Sequence, residues 1–132
     1  ALLTPEEVKA GCDAIRECCE KEGRNFADID IAPQISVSIA KTSQEAKARY
    51  EKSQIYRHSL SLSKSTMKGR DASNYTERNL VGSVEEVREM VERYIEAGVT
   101  TFSALIFADN TLEETREHMQ FFAEEIIARY SK

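Results

Sequence analysis

Apolar residues recur along the chain with two different periods. Val84, Val87, Val91, Tyr94 and Ile95 fall three or four apart, with Glu85, Arg88, Glu92 and Arg93 between them. That spacing predicts an amphipathic helix over 83–97, stopped by Gly98. Val8, Cys12, Ile15 and Cys19 repeat it over about 4–22, ahead of Gly23. Leu112, Thr115, Met119, Phe122, Ile126 and Tyr130 share one face of a last helix, 111 to about 130. A weaker helix from about 43 to 57 has Ala46, Tyr50 and Ile55 or Tyr56 on its apolar side. The other period is two. Ile29, Ile31, Ile35, Val37 and Ile39 alternate with polar or small residues, which predicts a strand with one buried face; Pro33 confines its regular ladder mainly to 34–40. The stretch GVTTFSALIF, 98–107, ends in a continuous apolar run and predicts a strand covered on both faces.

Each predicted helix opens with Ser or Thr followed three residues later by Glu: Thr4 with Glu7, Thr42 with Glu45, Ser83 with Glu86, Thr111 with Glu114. This is the capping box, in which two backbone amides left over at a helix start are satisfied reciprocally. Pro5 adds a preset φ at the first helical position. Between the helices, residues 58–82 keep no period and are rich in Ser, Thr and Asn. A connection this long is expected to be a functional loop, a lid insertion or disorder.

The order helix, strand, helix, loop, helix, strand, helix implies an α/β fold with parallel strands. Two parallel strands cannot cover both faces and satisfy both edges, so further strands are expected from elsewhere. A helix that precedes a parallel strand runs antiparallel to it, which puts Ser83 at the same end of the sheet as Asp109 and Asn110. Lys41 and Thr42 leave the first strand at that end too. Ligands of α/β sheets and barrels bind there, which makes Lys41, Thr42, His58, Asp109 and Asn110 candidates for a ligand-face rim.

At 132 residues the chain makes one domain at most, either a complete small one or part of a larger one. A start at Ala1 rather than Met suggests a processed chain or one cut from something longer. The formal net charge of -5 argues against a nucleic-acid partner. No apolar run approaches the roughly 20 residues that cross a bilayer, and no secretion signal is present, so the expectation is no membrane partner and a cytoplasmic location. Cys12, Cys18 and Cys19 fall within eight residues without the pairing of a disulfide framework or the histidines of a zinc site; Cys12 and Cys19 read as small buried apolar residues, and no metal is expected.

No set of residues in this sequence identifies a catalytic group. His118 falls on the wet side of the last helix beside Glu117 and reads as plain surface, while His58 precedes the long connection. Lys64, Lys68 and Arg70, with Gly69 allowing close backbone approach, could hold a phosphate or carboxylate. Ser83 opens a helix whose amides could assist, although its capping box uses some of them. For Asp109 and Asn110 the duller alternative is capping the terminal helix.

The tail NLVGSVEEVREMVERYIEAGVTTFSALIF, followed by TLEETREHMQFFAEEIIARY, resembles the C-terminal end of the luciferase-like flavin-dependent oxidoreductases, including their deazaflavin-dependent branch. TPEEVKAGCDAIRECCEKEGRNFADIDIA is similar to an earlier helix and strand of that family. The resemblance implies a (β/α)8 TIM barrel, of which residues 1–132 would be a single C-terminal fragment supplying about the last two βα units and incomplete as a lone chain. It implies hydride or oxygen transfer to a small-molecule substrate in the parent protein, with FMN or a deazaflavin as cofactor and none bound by this fragment alone; the open sheet edges lead to the expectation of a homo-oligomer. The alternative is a non-catalytic α/β module that self-associates through its sheet edges.

Overall fold

The structure, a computed structural model, describes residues 2–67 and 71–130. Helix starts follow the capping grammar closely. At α1 (Pro5–Glu22) the Thr4 hydroxyl accepts from the Glu7 amide while the Glu7 carboxylate accepts from the Thr4 amide, and Gly23 closes the helix in the left-handed region. The same reciprocal box forms at Ser83 and Glu86 for α4 (Val84–Glu96) and at Thr111 and Glu114 for α5 (Leu112–Phe122). At α2 (Ser43–Lys52) the Thr42 hydroxyl accepts from the Glu45 amide, one half of the box.

The helix expected over 43–57 is broken. Ser53 takes an extended backbone, donates its hydroxyl to the Tyr50 carbonyl at 2.6 Å and accepts the Tyr56 amide at 3.2 Å, so one side chain ends α2 and caps α3 (Gln54–Ser63). The stretch 58–82 therefore begins as helix. It ends in a strand that the hydrophobic pattern did not reveal, β2 (Leu80–Ser83), reached through a 3-10 turn at Tyr75–Glu77.

Among the described residues β1 (Gln34–Ala40), β2 and β3 (Ala104–Phe107) form one parallel sheet in the order β2-β1-β3. Val37 through Ala40 pair with Leu80 through Ser83, and Gln34 through Val37 with Ala104 through Phe107. The chain moves one way from β1 to β2 and back past β1 to β3. Right-handed crossovers then place α2 with α3 on one face and α4 on the other.

This corrects the one-faced reading of β1: all six residues from Ile35 to Ala40 are buried. Ile35, Val37 and Ile39 pack with Val87, Val91 and Tyr94 of α4 and with Phe122 and Ile126. On the other face Ser36 and Ser38 lie under α2, where the Ser38 hydroxyl donates to the Ala46 carbonyl at 2.8 Å and Tyr50, Tyr75, Val81 and Ala108 form a second cluster. Small hydroxyls with backbone acceptors are cheap to bury, which hides a two-faced strand behind an alternating pattern.

The strand expected over 98–107 and covered on both faces pairs only over its last four residues and lies at an edge, partly exposed. Among the described residues no strand pairs with its outer edge. Gly98 has φ 109°, and a Cβ there would lie 3.1 Å from Cys12 Sγ, so the glycine allows both the turn and the approach of α1. Cys12 and Cys19 are buried and Cys18 is exposed, all three free.

The last helix departs from its expected phase. Leu112 and Met119 are 79% and 51% exposed, while His118, Phe122 and Ile126 are buried. After α5 the chain passes through a π segment, Ala123–Ile127, and a final turn, Ala128–Tyr130. No helix of the described residues is long and apolar enough to cross a membrane.

Tyr94 fastens the start of the chain to this core. Its ring is fully buried and its hydroxyl donates to the Leu3 carbonyl at 2.7 Å. Tyr94→Ala is expected to cost about 3–5 kcal/mol, as for other large buried aromatics. Tyr94→Phe should cost only about 0.5–1.5 kcal/mol, the worth of one hydrogen bond. Urea midpoints of the two variants measure both.

Candidate functional site

The site arises where β3 stops short of β1. Ala108 makes the last ladder bond, its amide donating to the Val37 carbonyl at 2.9 Å, and the chain then turns through Asp109–Thr111 into α5. The N–H and C=O of a strand residue point to the same neighbour and alternate sides along the strand, so Ile39 faces the β3 side as Val37 does. No β3 residue is there to meet it.

Two side chains take the missing strand's place. The Ile39 amide donates to His118 Nε2 at 2.9 Å, and Arg49 Nη1 donates to the Ile39 carbonyl at 2.9 Å. Since Nε2 accepts, the proton of the neutral imidazole is on Nδ1, which donates to Asp109 Oδ2 at 2.8 Å. The His118 and Asp109 side chains are 2% and 3% exposed. Phe107 packs edge-on against the imidazole with centroids 5.1 Å apart. Burial pushes the His118 pKa below its usual value, and the Asp109 carboxylate works against that shift without reversing it.

His118 is thus no surface residue, a correction of the sequence reading. An unmet strand amide makes an imidazole acceptor a better occupant of that position than a methionine, and the helix turns to present His118 rather than Met119. With both ring nitrogens engaged, the imidazole fixes the end of β1 and the Asp109 carboxylate.

Above this point lies a solvent-open cleft of about 630 Å³. Ile39, Ala40, Ala108 and Phe121 give it an apolar floor. Lys41 and, from α2, Glu45, Arg49 and Lys52 form one wall; Glu114 and Glu117 of α5 form the other, with Asp109 and Asn110 at the turn between. The two helices leave opposite faces of the sheet, so the cleft sits at a topological switch point, where open α/β sheets take ligands.

Of the residues singled out from sequence, Lys41, Asp109 and Asn110 come together here. Thr42 lies beside them and caps α2, and Ser83 caps α4. His58 and Lys64 are exposed on α3 and at its end, outside the cleft lining. Lys68 and Arg70 lie outside the described residues. Arg49 escaped notice and His118 was read as surface because their role depends on where β3 ends, which no local pattern marks. Among the described residues no group of three or more His, Cys, Asp or Glu could hold a metal ion.

The imidazole makes stability depend on pH. Between its lowered folded pKa and about 6.5, its usual value, the unfolded chain binds a proton that the folded chain does not, so stability falls as pH drops from about 6.5. Urea midpoints between pH 7 and pH 5 should show that loss and should flatten in His118→Ala. The variant itself should be less stable by about 1–3 kcal/mol at pH 7, because the Ile39 amide and the Asp109 carboxylate lose their partner.

Comparison with known proteins agrees with this architecture. Residues 1–101 match the family profile described as luciferase-like monooxygenase. The monooxygenase RslO1 from Streptomyces bottropensis superimposes with a TM-score of 0.65 at 20% identity, over 96% of this chain and 39% of that one. The coenzyme F420 dependent tetrahydromethanopterin reductase from Methanopyrus kandleri does so with a TM-score of 0.65 at 16% identity, over 97% of this chain and 43% of that one. This chain thus spans about two-fifths of the length of those structures, and at such identities they share its fold alone. A search of curated proteins finds no match. The fold is α/β, a parallel three-stranded sheet with covering helices, similar to luciferase-like TIM barrel proteins. With the profile covering more than three-quarters of its residues, the chain belongs to the luciferase-like monooxygenase family.

Proposed function

We propose that the chain forms the C-terminal portion of a (β/α)8 barrel oxidoreductase that uses FMN or a deazaflavin and transfers hydride or oxygen to a small organic substrate. One observation carries this reading: the cleft lies at the C-terminal ends of two adjacent parallel strands, β1 and β3, the end at which barrel enzymes build their active sites. Adjacent pairing of β1 and β3 suits consecutive barrel strands, with β2 as a short addition on the other side. The partly exposed edge of β3 and the exposed Leu112 and Met119 suit a surface that further barrel elements cover.

On this reading the flavin is held mainly by other parts of the barrel. None of the described glycines lines the cleft, so no backbone there is bared for a phosphate. Amides at the starts of α2 and α5 are engaged by Thr42, Thr111 and Glu114. Besides the hydrogen-bonded imidazole of His118, Phe121 is the one aromatic ring among the described residues of the cleft lining, too little to bracket a tricyclic ring system. The cofactor, held elsewhere in the barrel, would supply the redox chemistry. This chain would supply an apolar floor, a charged rim and a strand end fixed by His118 and Arg49.

Fluorescence titration tests the reading. A protein of full barrel length that includes this chain should bind FMN or a deazaflavin stoichiometrically, and the 132-residue chain alone should bind neither tightly. Failure of the full-length protein to bind either cofactor would refute the oxidoreductase reading.

A further inference from the structure

We propose that the first three turns of α5 are a hinged wall of the cleft, latched to the sheet by His118 and released when the imidazole takes up a proton. The release belongs to this chain and does not depend on what the cleft holds.

His118 is the one deep anchor of that stretch. Of the residues from Leu112 to Phe121 it alone is buried; Thr115 and Phe121 are half-buried and the rest are exposed. The next buried side chains, Phe122 and Ile126, belong to the core with Val87 and Val91. They hold the end of α5 and the π segment Ala123–Ile127 whatever happens at His118. A π segment breaks the regular helical ladder, which leaves a pivot where α5 meets it.

The latch itself excludes a proton. Nδ1 already carries its hydrogen, donated to Asp109 Oδ2 at 2.8 Å, so an incoming proton can go only to Nε2. Nε2 is occupied as the acceptor of the Ile39 amide at 2.9 Å. A proton there would set one N–H against another, and attraction would become repulsion. Protonation and attachment to β1 are therefore exclusive states of one side chain.

The charges around the ring set the direction. Asp109, in the turn after β3, favours the imidazolium, and Arg49 of α2 opposes it. Lys41 at the end of β1, Glu45 and Lys52 of α2, and Glu114 and Glu117 of α5 complete the charged lining of the cleft. Burial outweighs the Asp109 carboxylate and holds the latched ring below its usual pKa. Once released into water the ring returns toward about 6.5. Below that pH the released form binds a proton that the latched form does not, so release gains up to about tenfold per pH unit until the lowered pKa is reached. Glu114, Glu117 and Phe121 move with the released turns, and the cleft widens.

Amide hydrogen exchange of the intact chain tests the latch, read by NMR between pH 7.5 and pH 5.5 and corrected for the intrinsic rate at each pH. The Ile39 amide reports release, and Val91 in the middle of α4 reports opening of the whole core. Ile39 should exchange at least about tenfold faster than Val91 and, unlike Val91, should not respond to low urea, the mark of a local opening. Its protection should fall by about threefold to tenfold from pH 7.5 to pH 5.5. In His118→Gln, whose amide cannot take up a proton in this range, that pH step should vanish. If this variant does not fold, the urea and pH dependence of the unaltered chain decides alone. Ile39 exchange that follows Val91 in rate and urea response would overturn the proposal. So would protection at Ile39 independent of pH, or the same pH step in a folded His118→Gln variant. No flavin enters the experiment, so the latch and the oxidoreductase reading fail independently.

Discussion

The peptide of Ile39 is the point on which the described structure turns. It lies at the end of a central strand, buried, with its N–H and C=O aimed at a neighbour that has already turned away. An unmet buried amide or carbonyl costs about 1–3 kcal/mol, so the chain must satisfy both without a strand. It does so with one side chain from each face of the sheet, His118 from α5 and Arg49 from α2. These two bonds hold the helices apart at a fixed separation. The gap between them is the cleft.

Fold and site are therefore one problem. Had β3 run two residues further, it would have closed the ladder, Asp109 would not sit beside β1, and the imidazole would have no amide to accept. The opposite side of β1 shows the same device at its other end: the Ser36 amide, which β2 begins too late to meet, donates to Asn79 Oδ1 at 3.0 Å. Buried polar side chains in this protein stand where strands are short. Their hydrogen bonds continue the sheet.

What could be read in the sequence was whatever is decided locally. Capping at Thr4, Ser83 and Thr111 depends on residues three apart, and the helices they open form as expected. The 3.6-residue period of Val87, Val91 and Tyr94 marks a helix whose inner face is packed on β1. What could not be read depends on distant chain. β2 is four residues long and contains a glycine, so nothing but its pairing with Val37 through Ala40 makes it a strand. Ser36 and Ser38 look like a wet face until α2 is placed over them. His118 looks wet because hydrophobicity ranks Met119 above it, and the ranking reverses only when an orphan amide lies opposite. Of the rim, Lys41, Asp109 and Asn110 could be placed because strand direction follows from the order of elements; Arg49 could not, because its partner is a carbonyl ten residues away whose exposure depends on β3.

The protonation state of His118 tests this account most directly. Long-range proton–nitrogen correlation NMR of the imidazole at neutral pH distinguishes the two tautomers and the cation. The account predicts a neutral ring with its proton on Nδ1, and a hydrogen-bond coupling between Nε2 and the Ile39 amide. A ring protonated on Nε2, or a cation, would leave that amide without an acceptor and would contradict the account.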